Sequence, residues 1–411
     1  MTRALERSVN SVVRNANCSG CGACALMSDR VSMHLDDTGY MRPHIDNQTP
    51  TNAATDRQEA SLFDRVCPGR RLQAEAPLDR KQHETFGAYV SSWRAHAIDN
   101  DVRHSGSSAG VLTALSQHLV ETSGATGVVA AGPSMAAPTR TVPVRIQTRD
   151  EALAASGSRY APTSTLVGYS ESNSTDALVA KPCEVAAMRR LNREKGQRDT
   201  EMPMMLSFFC AGTPSQTASN DLITSLGMSP DAVTSLRYRG LGWPGDFVAS
   251  DGSTEVSVTY DESWGKHLGR QLQWRCKTCP DGTGEASDVA VGDFWKADDR
   301  GYPLFDDAAG SSVAIARTER GHALLMEAAR EGRVALEPVD LDEVARIQPL
   351  QVNRRRTVAV RLLAQILTFR KIPRYQGFAL TKQAAGFPKL SLRTFVGTLQ
   401  RSWKDRLKKA S

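Results

Sequence analysis

The stretch from Ala177 to Cys210, ALVAKPCEVAAMRRLNREKGQRDTEMPMMLSFFC, decides the reading of the fold. ALVA and PMMLSFFC are apolar runs of strand length, and EVAAMRRLNRE between them is helical in pattern. The same alternation extends outward on both sides. Upstream, from Phe86, lie YVSSWRAHA, SAGVLTALSQHLVET and TGVVAAG. Downstream come a helical TASNDLITSLG and then SSVAIARTERGHALLMEAAREGRVALEPV, which reads strand, helix, strand. Alternating strands and helices predict an α/β domain. Between Thr234 and Ala297, Gly, Pro and aromatic residues (YRGLGWPGDFVAS, DESWGKHLG) with the strand-like EVSVTYD predict hairpins around a site.

The 411 residues have room for about two to three domains. Hydrophobic content of 40% with 23% charge excludes a disordered or fibrous chain. No run of about 18 apolar residues occurs, and the first residues lack the apolar core of a signal peptide, so a cytoplasmic protein is expected. The net charge of +6 conceals an asymmetry. Of the 51 Lys and Arg, 15 fall in residues 353–411 against a single acid, Asp405, and the remaining 36 face 44 acids in the body.

Eight cysteines in a reducing compartment point to metal or redox chemistry rather than disulfides. Cys18, Cys21 and Cys24 form C-x2-C-x2-C, Gly20 and Gly22 let the backbone fold closely there, and Cys67 is followed by Pro68. Three thiolates at this spacing with a remote Cys-Pro are the ligand pattern of a 4Fe-4S cluster. A zinc site with four thiolates is the competing reading, but it ordinarily pairs two separate C-x2-C knuckles. Cys183 begins a helix after a strand, Cys210 ends a strand, and Cys276 and Cys279 form C-x2-C in a Gly/Pro loop, RCKTCPDG. Such positions fall at the carboxyl edge of an α/β sheet, where sites gather. These four predict a second 4Fe-4S cluster; two buried cysteines plus half a zinc knuckle is the alternative.

RHSGSSAGVLTALSQHLVE places Gly106, Ser107, Ser108 and Gly110 ahead of an amphipathic helix beginning near Val111. Small residues there let a diphosphate approach backbone N–H groups, and the helix dipole favours its charge. A second loop, Gly157, Ser158, Arg159 and Tyr160, offers one side chain able to pair a phosphate and another able to stack on a ring. Each loop alone also reads as an ordinary turn.

Taken in order, HSGSSAGVLTAL, GSRY, KPCEVAAMRRL, SFFCAGTPS, YRGLGWPG and CKTCPDGTGEASDVAVGDFW resemble the coenzyme F420 hydrogenase/dehydrogenase beta-subunit family over about residues 86–345. The resemblance implies an iron-sulfur flavoprotein holding FAD beside a 4Fe-4S cluster. It places Ser107, Ser108, Gly110 and Val111 on one flavin-binding segment and Gly157, Ser158, Arg159 and Tyr160 on another. Cys183, Cys276 and Cys279 fall on the inner cluster's ligands, and Cys210 is chosen as its fourth corner. This chain departs from the family's usual pattern at Ala180 and Lys181, where Gly-Thr is common, and at Glu184, commonly Gln; Lys181 reads as an ordinary surface lysine rather than a flavin contact. No catalytic acid or base is designated.

The expected organisation is α/β, a mixed-sheet flavin domain with an N-terminal ferredoxin-like cluster module and a basic helical tail. Its boundaries are 1–80 for the module, built on loops, 86–170 for the flavin-binding part, 171–345 for the part with the second cluster, and 346–411 for the tail. A chain of outer cluster, inner cluster and FAD exchanges one-electron for two-electron currency. The expected partners are a ferredoxin-like carrier and a small organic substrate or deazaflavin, and resemblance to bacterial members adds a link to surface-polysaccharide metabolism. The competing class is a zinc-stapled binding or scaffold protein. No nucleic-acid motif accompanies the basic tail. In that tail Leu392, Phe395, Val396, Leu399, Trp403 and Leu407 recur at helical spacing among Arg and Lys. This predicts either a terminal helix docked on the acidic body or one lying on anionic lipid.

Overall fold

A computed structural model of the chain describes residues 3–75, 80–170, 175–304 and 309–410, without the side chains of 170 and 405–410. Leu407 of the tail pattern, with Arg406, Lys408 and Lys409, therefore lies outside the described side chains.

The N-terminal segment is more ordered than its polar composition predicts. Helix α1 (Ala4–Arg14) buries Leu5, Val9 and Val12, one stripe at helical spacing, against Ala60 and Phe63 of α2 (Ala53–Val66). Helix α2 forms in the stretch expected as loop because the Asn52 side chain accepts the N–H groups of Ala54 and Thr55 at 2.9 Å, relieving two orphaned donors. A hairpin, β1 (Val31–Leu35) with β2 (Met41–Ile45), completes the unit.

The body is built on one eight-stranded mixed sheet. Its strands are β3 (Ser91–Ala97), β4 (Val128–Pro133), β5 (Thr141–Ile146), β6 (Ala177–Ala180), β7 (Met205–Phe208), β8 (Val289–Asp293), β9 (Ser312–Ala316) and β10 (Val334–Pro338). Their order is β10-β3-β9-β8-β7-β6-β4-β5. Strands β4, β6, β7 and β8 run parallel, and the remaining pairings are antiparallel. The first strand, β3, thus pairs with the last two, joining residues 86–170 and 171–345 in one sheet. β5 carries Pro143, which an edge strand accommodates because the missing N–H faces no neighbour.

Helices α3 (Val111–Glu121) and α6 (Glu319–Arg330) cover one sheet face, where Val111, Leu115 and Leu119 meet Leu206, Val289 and Leu325. Helix α4 (Pro182–Glu194) covers the other, packing Val185, Met188 and Leu191 on Leu178 and Met205. Helix α5 (Gln216–Ser225) packs on a small three-stranded antiparallel sheet (Ser235–Arg237, Phe247–Ser250, Glu255–Val258). The basic tail holds two longer helices in contact, α7 (Pro349–Leu367) and α8 (Pro388–Ala410), joined through a strand, Arg374–Gln376, that pairs with Arg71–Gln73 and a short helix, Leu380–Ala385. Helix α7 docks on the body through Arg355, which pairs with buried Glu285 at 2.6 Å, and Arg354, which donates to the Cys210 carbonyl at 2.8 Å.

At the amino edge of the sheet, fully buried Asp288 accepts hydrogen bonds from Arg189 (3.0 Å), Arg320 (2.9 Å), Thr318 (2.9 Å) and the Met205 N–H (2.8 Å). Burial pushes its carboxyl up, but Arg189 and Arg320 outweigh that and hold it below the usual carboxylate range. Asp288→Asn should destabilise the fold by about 3–5 kcal/mol, because buried Arg189 keeps only the half-exposed Asp199 at 3.2 Å and partly buried Arg320 loses its carboxylate. In the wild type this contribution is complete above the unfolded carboxylate pKa of about 3.9 and is lost as pH falls through the lower folded-state value. Denaturant unfolding of both proteins at neutral and acid pH should therefore show the gap narrowing toward acid; a gap below about 1 kcal/mol at neutral pH would sink this account.

Candidate functional site

The carboxyl ends of the parallel strands, the crevice side of an α/β sheet, bring the marked residues together. Cys18, Cys21, Cys24 and Cys67 line one small closed cavity with Val12, Met33 and Phe63. Gly20 holds φ +71°, and a Cβ there would lie 2.8 Å from the Met41 carbonyl oxygen, so the loop closes only with glycine. The Cys18 Sγ accepts the Gly20 N–H at 3.4 Å. Burial pushes the Cys21 thiol up to about 11, and Cys24 and Cys67 rise too, first by burial and then by repulsion from the neighbouring thiols. Such thiols ionise together only beside a strong positive charge.

The second set converges from three segments. Cys183 sits in the first turn of α4, Cys210 two residues past β7, and Cys276 within a short helix, Trp274–Lys277, rather than the expected loop. Cys210, pushed up to about 12 by burial, is also raised by Cys276 and Cys279. Cys183 is raised well above its ordinary value by burial, then by Glu184, and lies within electrostatic reach of both Cys210 and Cys21. The Cys276 Sγ accepts the Thr213 N–H at 3.4 Å and the Gln273 amide at 3.5 Å, the pattern of a liganding thiolate.

Arg275 supplies a test of what these thiols hold. It is 1% exposed, donates to the Pro68 carbonyl at 3.2 Å, lies over the Tyr375 ring, and its Nε has no hydrogen-bond partner. Among the described residues it pairs with no carboxylate. Burial lowers its affinity for a proton, yet Tyr375 and the Cys279, Cys183 and Cys276 thiols raise it overall, and its charge also favours the Cys67 thiolate. A buried guanidinium without a counter-ion is costly. Anionic thiolate clusters on either side would supply one, so the donor set fits. Among the described residues no three His, Cys, Asp or Glu are arranged to hold a single metal ion.

A cavity of about 290 Å³ opens at the same edge and is lined by all eight marked small-loop residues, Ser107, Ser108, Gly110, Val111, Gly157, Ser158, Arg159 and Tyr160, and also by Lys181 and Cys210. Gly110 caps α3 at φ +68°, where a Cβ would meet the Val102 carbonyl at 2.3 Å. The Ser158 hydroxyl donates to Ser107 at 2.8 Å and joins the two loops.

Two side chains differ from their sequence reading. Arg159 spends its guanidinium on Thr141 (2.8 Å) and the carbonyls of Leu236, Pro138 and Arg140, tying hairpins together rather than awaiting a phosphate. Lys181 is not a surface lysine: it is 6% exposed and bonded to Glu184 at 2.6 Å and to the Thr163 carbonyl at 2.9 Å. Burial lowers its proton affinity, but Glu184 and Cys183 raise it above the ordinary lysine value.

Sequence reading missed Arg239. Fully buried, it pairs with Asp293 at 2.8 Å, donates to the Tyr160 hydroxyl and the Ser107 carbonyl, and lies over the rings of Tyr260 (4.5 Å) and Trp243 (4.9 Å). Its signal was the arginine amid aromatics and glycines in YRGLGWPG.

Residues 92–168 match the model for the coenzyme F420 hydrogenase/dehydrogenase beta subunit N-terminus, and residues 175–342 that for its C-terminus. No curated protein matches the chain. Among solved structures it is similar to a chain of the xenon-derivatised F420-reducing NiFe hydrogenase complex from Methanosarcina barkeri, with a TM-score of 0.55 and 19% identity, covering 72% of this chain and 98% of that one. That likeness is one of fold. Because the two models together span more than half of its length, the chain belongs to the coenzyme F420 hydrogenase/dehydrogenase beta-subunit family, whose members are electron-transferring oxidoreductase subunits.

Proposed function

We propose that this protein is an FAD-dependent oxidoreductase with two 4Fe-4S clusters, exchanging electrons between a ferredoxin-type carrier and a small organic substrate or deazaflavin. The observation that carries this reading is continuity. Cys210 lines the flavin-loop cavity, Cys183 lies within reach of Cys210, and Cys21 of the outer thiol set lies within reach of Cys183. When bound, the clusters supply one-electron and the flavin two-electron chemistry.

The chain's own residues organise that path. Cys18, Cys21, Cys24 and Cys67 would hold the outer cluster, and Cys183, Cys210, Cys276 and Cys279 the inner one. Arg239 fixes the Ser107 carbonyl and the Tyr160 ring, which shapes the cavity between the two small loops. Lys181 and Glu184 anchor the loop carrying Thr163 and Thr165 to the first turn of α4, so the cavity wall and Cys183 move as one. Tyr160 packs 4.7 Å from Trp264, and both rings line the cavity.

Anaerobically purified protein should show flavin and iron-sulfur absorption with about eight irons per chain, four per cluster; a zinc-bound colourless protein would sink the reading. Cys21→Ala should lower iron by about half while leaving bound flavin nearly intact, since the outer set lies apart from the cavity. Ser107→Glu should strip flavin by placing a carboxylate where the diphosphate approaches, while Ser107→Ala retains it; equal flavin in both would remove this loop from the site. Gly110 suits that test less well, because any side chain there collides with Val102. Arg275→Met should keep its iron but show cluster midpoint potentials shifted negative in spectroelectrochemical titration, since a nearby cation favours the more anionic reduced state. Unchanged potentials would show that Arg275 does not border the clusters.

A further inference from the structure

Helix α8 half-buries Phe395 and Leu399 but leaves other apolar side chains outside. Its buried side is Ser391, Thr398 and Ser402, small polar residues, whereas Leu392 is 65%, Val396 44% and Trp403 44% exposed along one outward stripe. The neighbouring helix ends similarly, with Leu363, Ile366 and Leu367 exposed and Phe369 turned outward by a left-handed backbone at φ 56°.

Between α7 and α8 runs a groove of about 730 Å³ with an apolar floor of Leu390, Val396 and Gly397, ringed by Arg361, Lys389, Arg393 and Arg401. Among the described residues none of these four cations pairs with a carboxylate. Arg361, whose Nε donates to Thr357 at 3.3 Å, is pushed down to about 10 by burial and by the crowding of Arg401 and Arg354. The groove therefore holds unrelieved positive charge directly beside exposed apolar side chains.

We propose that the α7–α8 face binds the surface of an anionic phospholipid bilayer, with Leu392, Val396 and Trp403 entering the interface and Arg361, Lys389, Arg393 and Arg401 meeting headgroup phosphates. Charge complementarity selects this occupant. Cations line the apolar groove itself and no carboxylate among the described residues pairs with them, which matches the layering of phosphates over acyl chains. The surrounding segment is one-sided as well, with 15 Lys and Arg against one acid in residues 353–411. Among the described residues no helix is long and apolar enough to cross a membrane, so this contact lies on the bilayer.

Cosedimentation of the full chain with phosphatidylcholine vesicles, with and without phosphatidylglycerol, tests this. The protein should pellet with the anionic vesicles at low salt, stay in solution with the neutral ones, and be released at high salt. The surface variant R393E/R401E should bind at least about 25-fold more weakly, at about fivefold per cation removed. L392S/V396S should also lose binding while keeping the wild-type melting temperature and absorption spectrum. Wild-type protein that fails to pellet with anionic vesicles, or variants that pellet like wild type, would overturn the proposal; the first outcome would assign the face to a protein partner.

Discussion

The fold turns on one buried carboxylate. Asp288, at the start of β8, gathers a backbone N–H from β7, a guanidinium from α4 and two groups from the start of α6. The Asp288 carbonyl is approached so closely by α6 that a Cβ at Gly321 would sit 2.1 Å from it. Locking the amino edge in this way fixes how the central strands and their covering helices stack. It leaves the carboxyl edge to loops, whose backbone groups can turn toward a ligand instead of toward one another.

The loops at that edge are joined by polar bonds as well as by an apolar cluster in which Cys21 and Ala23 meet Leu166, Ala180 and Val185. Ser164 donates to the Gly20 carbonyl of the outer cysteine loop at 2.8 Å, and Glu184 accepts the Thr165 N–H at 3.0 Å. Three consecutive residues, Thr163, Ser164 and Thr165, therefore touch the outer cysteine loop, the first turn of α4 and the cavity wall. Buried hydrogen bonds of this kind are costly to break, because a donor left behind in a dry setting loses its water too. Rigidity at such a junction suits electron transfer, which needs fixed separations more than motion.

The C-terminal segment has two roles that composition alone merges into one. Arg354 and Arg355 of α7 are structural, covering the Cys210 carbonyl and neutralising Glu285, so part of the positive charge is consumed inside the protein. Arg361, Lys389, Arg393 and Arg401 find no acidic partner among the described residues. The change falls within one helix, where α7 passes from the body to the solvent-facing α8.

Much of this was legible in the sequence because it is local. C-x2-C-x2-C with spaced glycines, small residues before an amphipathic helix, and strands of four to seven apolar residues each carry their meaning within a few positions, where backbone geometry and thiol spacing leave few alternatives. Other features depended on contacts that the fold brings together and the local pattern does not show. Lys181 reads as exposed from its neighbours, yet Glu184 and Thr163 draw it inside. Arg159 reads as able to pair a phosphate, yet Thr141 and the carbonyls of Pro138, Arg140 and Leu236 engage its guanidinium at the cavity wall. Arg239 carries no motif of its own, and the outward turn of Leu392, Val396 and Trp403 could not be told from an inward one, since periodicity marks a stripe without saying which side it faces. Residue types and local spacing mark the elements and the chemistry at the site; which charges are buried and paired follows only from the folded chain, because it depends on how loops from separate segments meet, as Arg239 meets the Ser107 carbonyl 132 residues away.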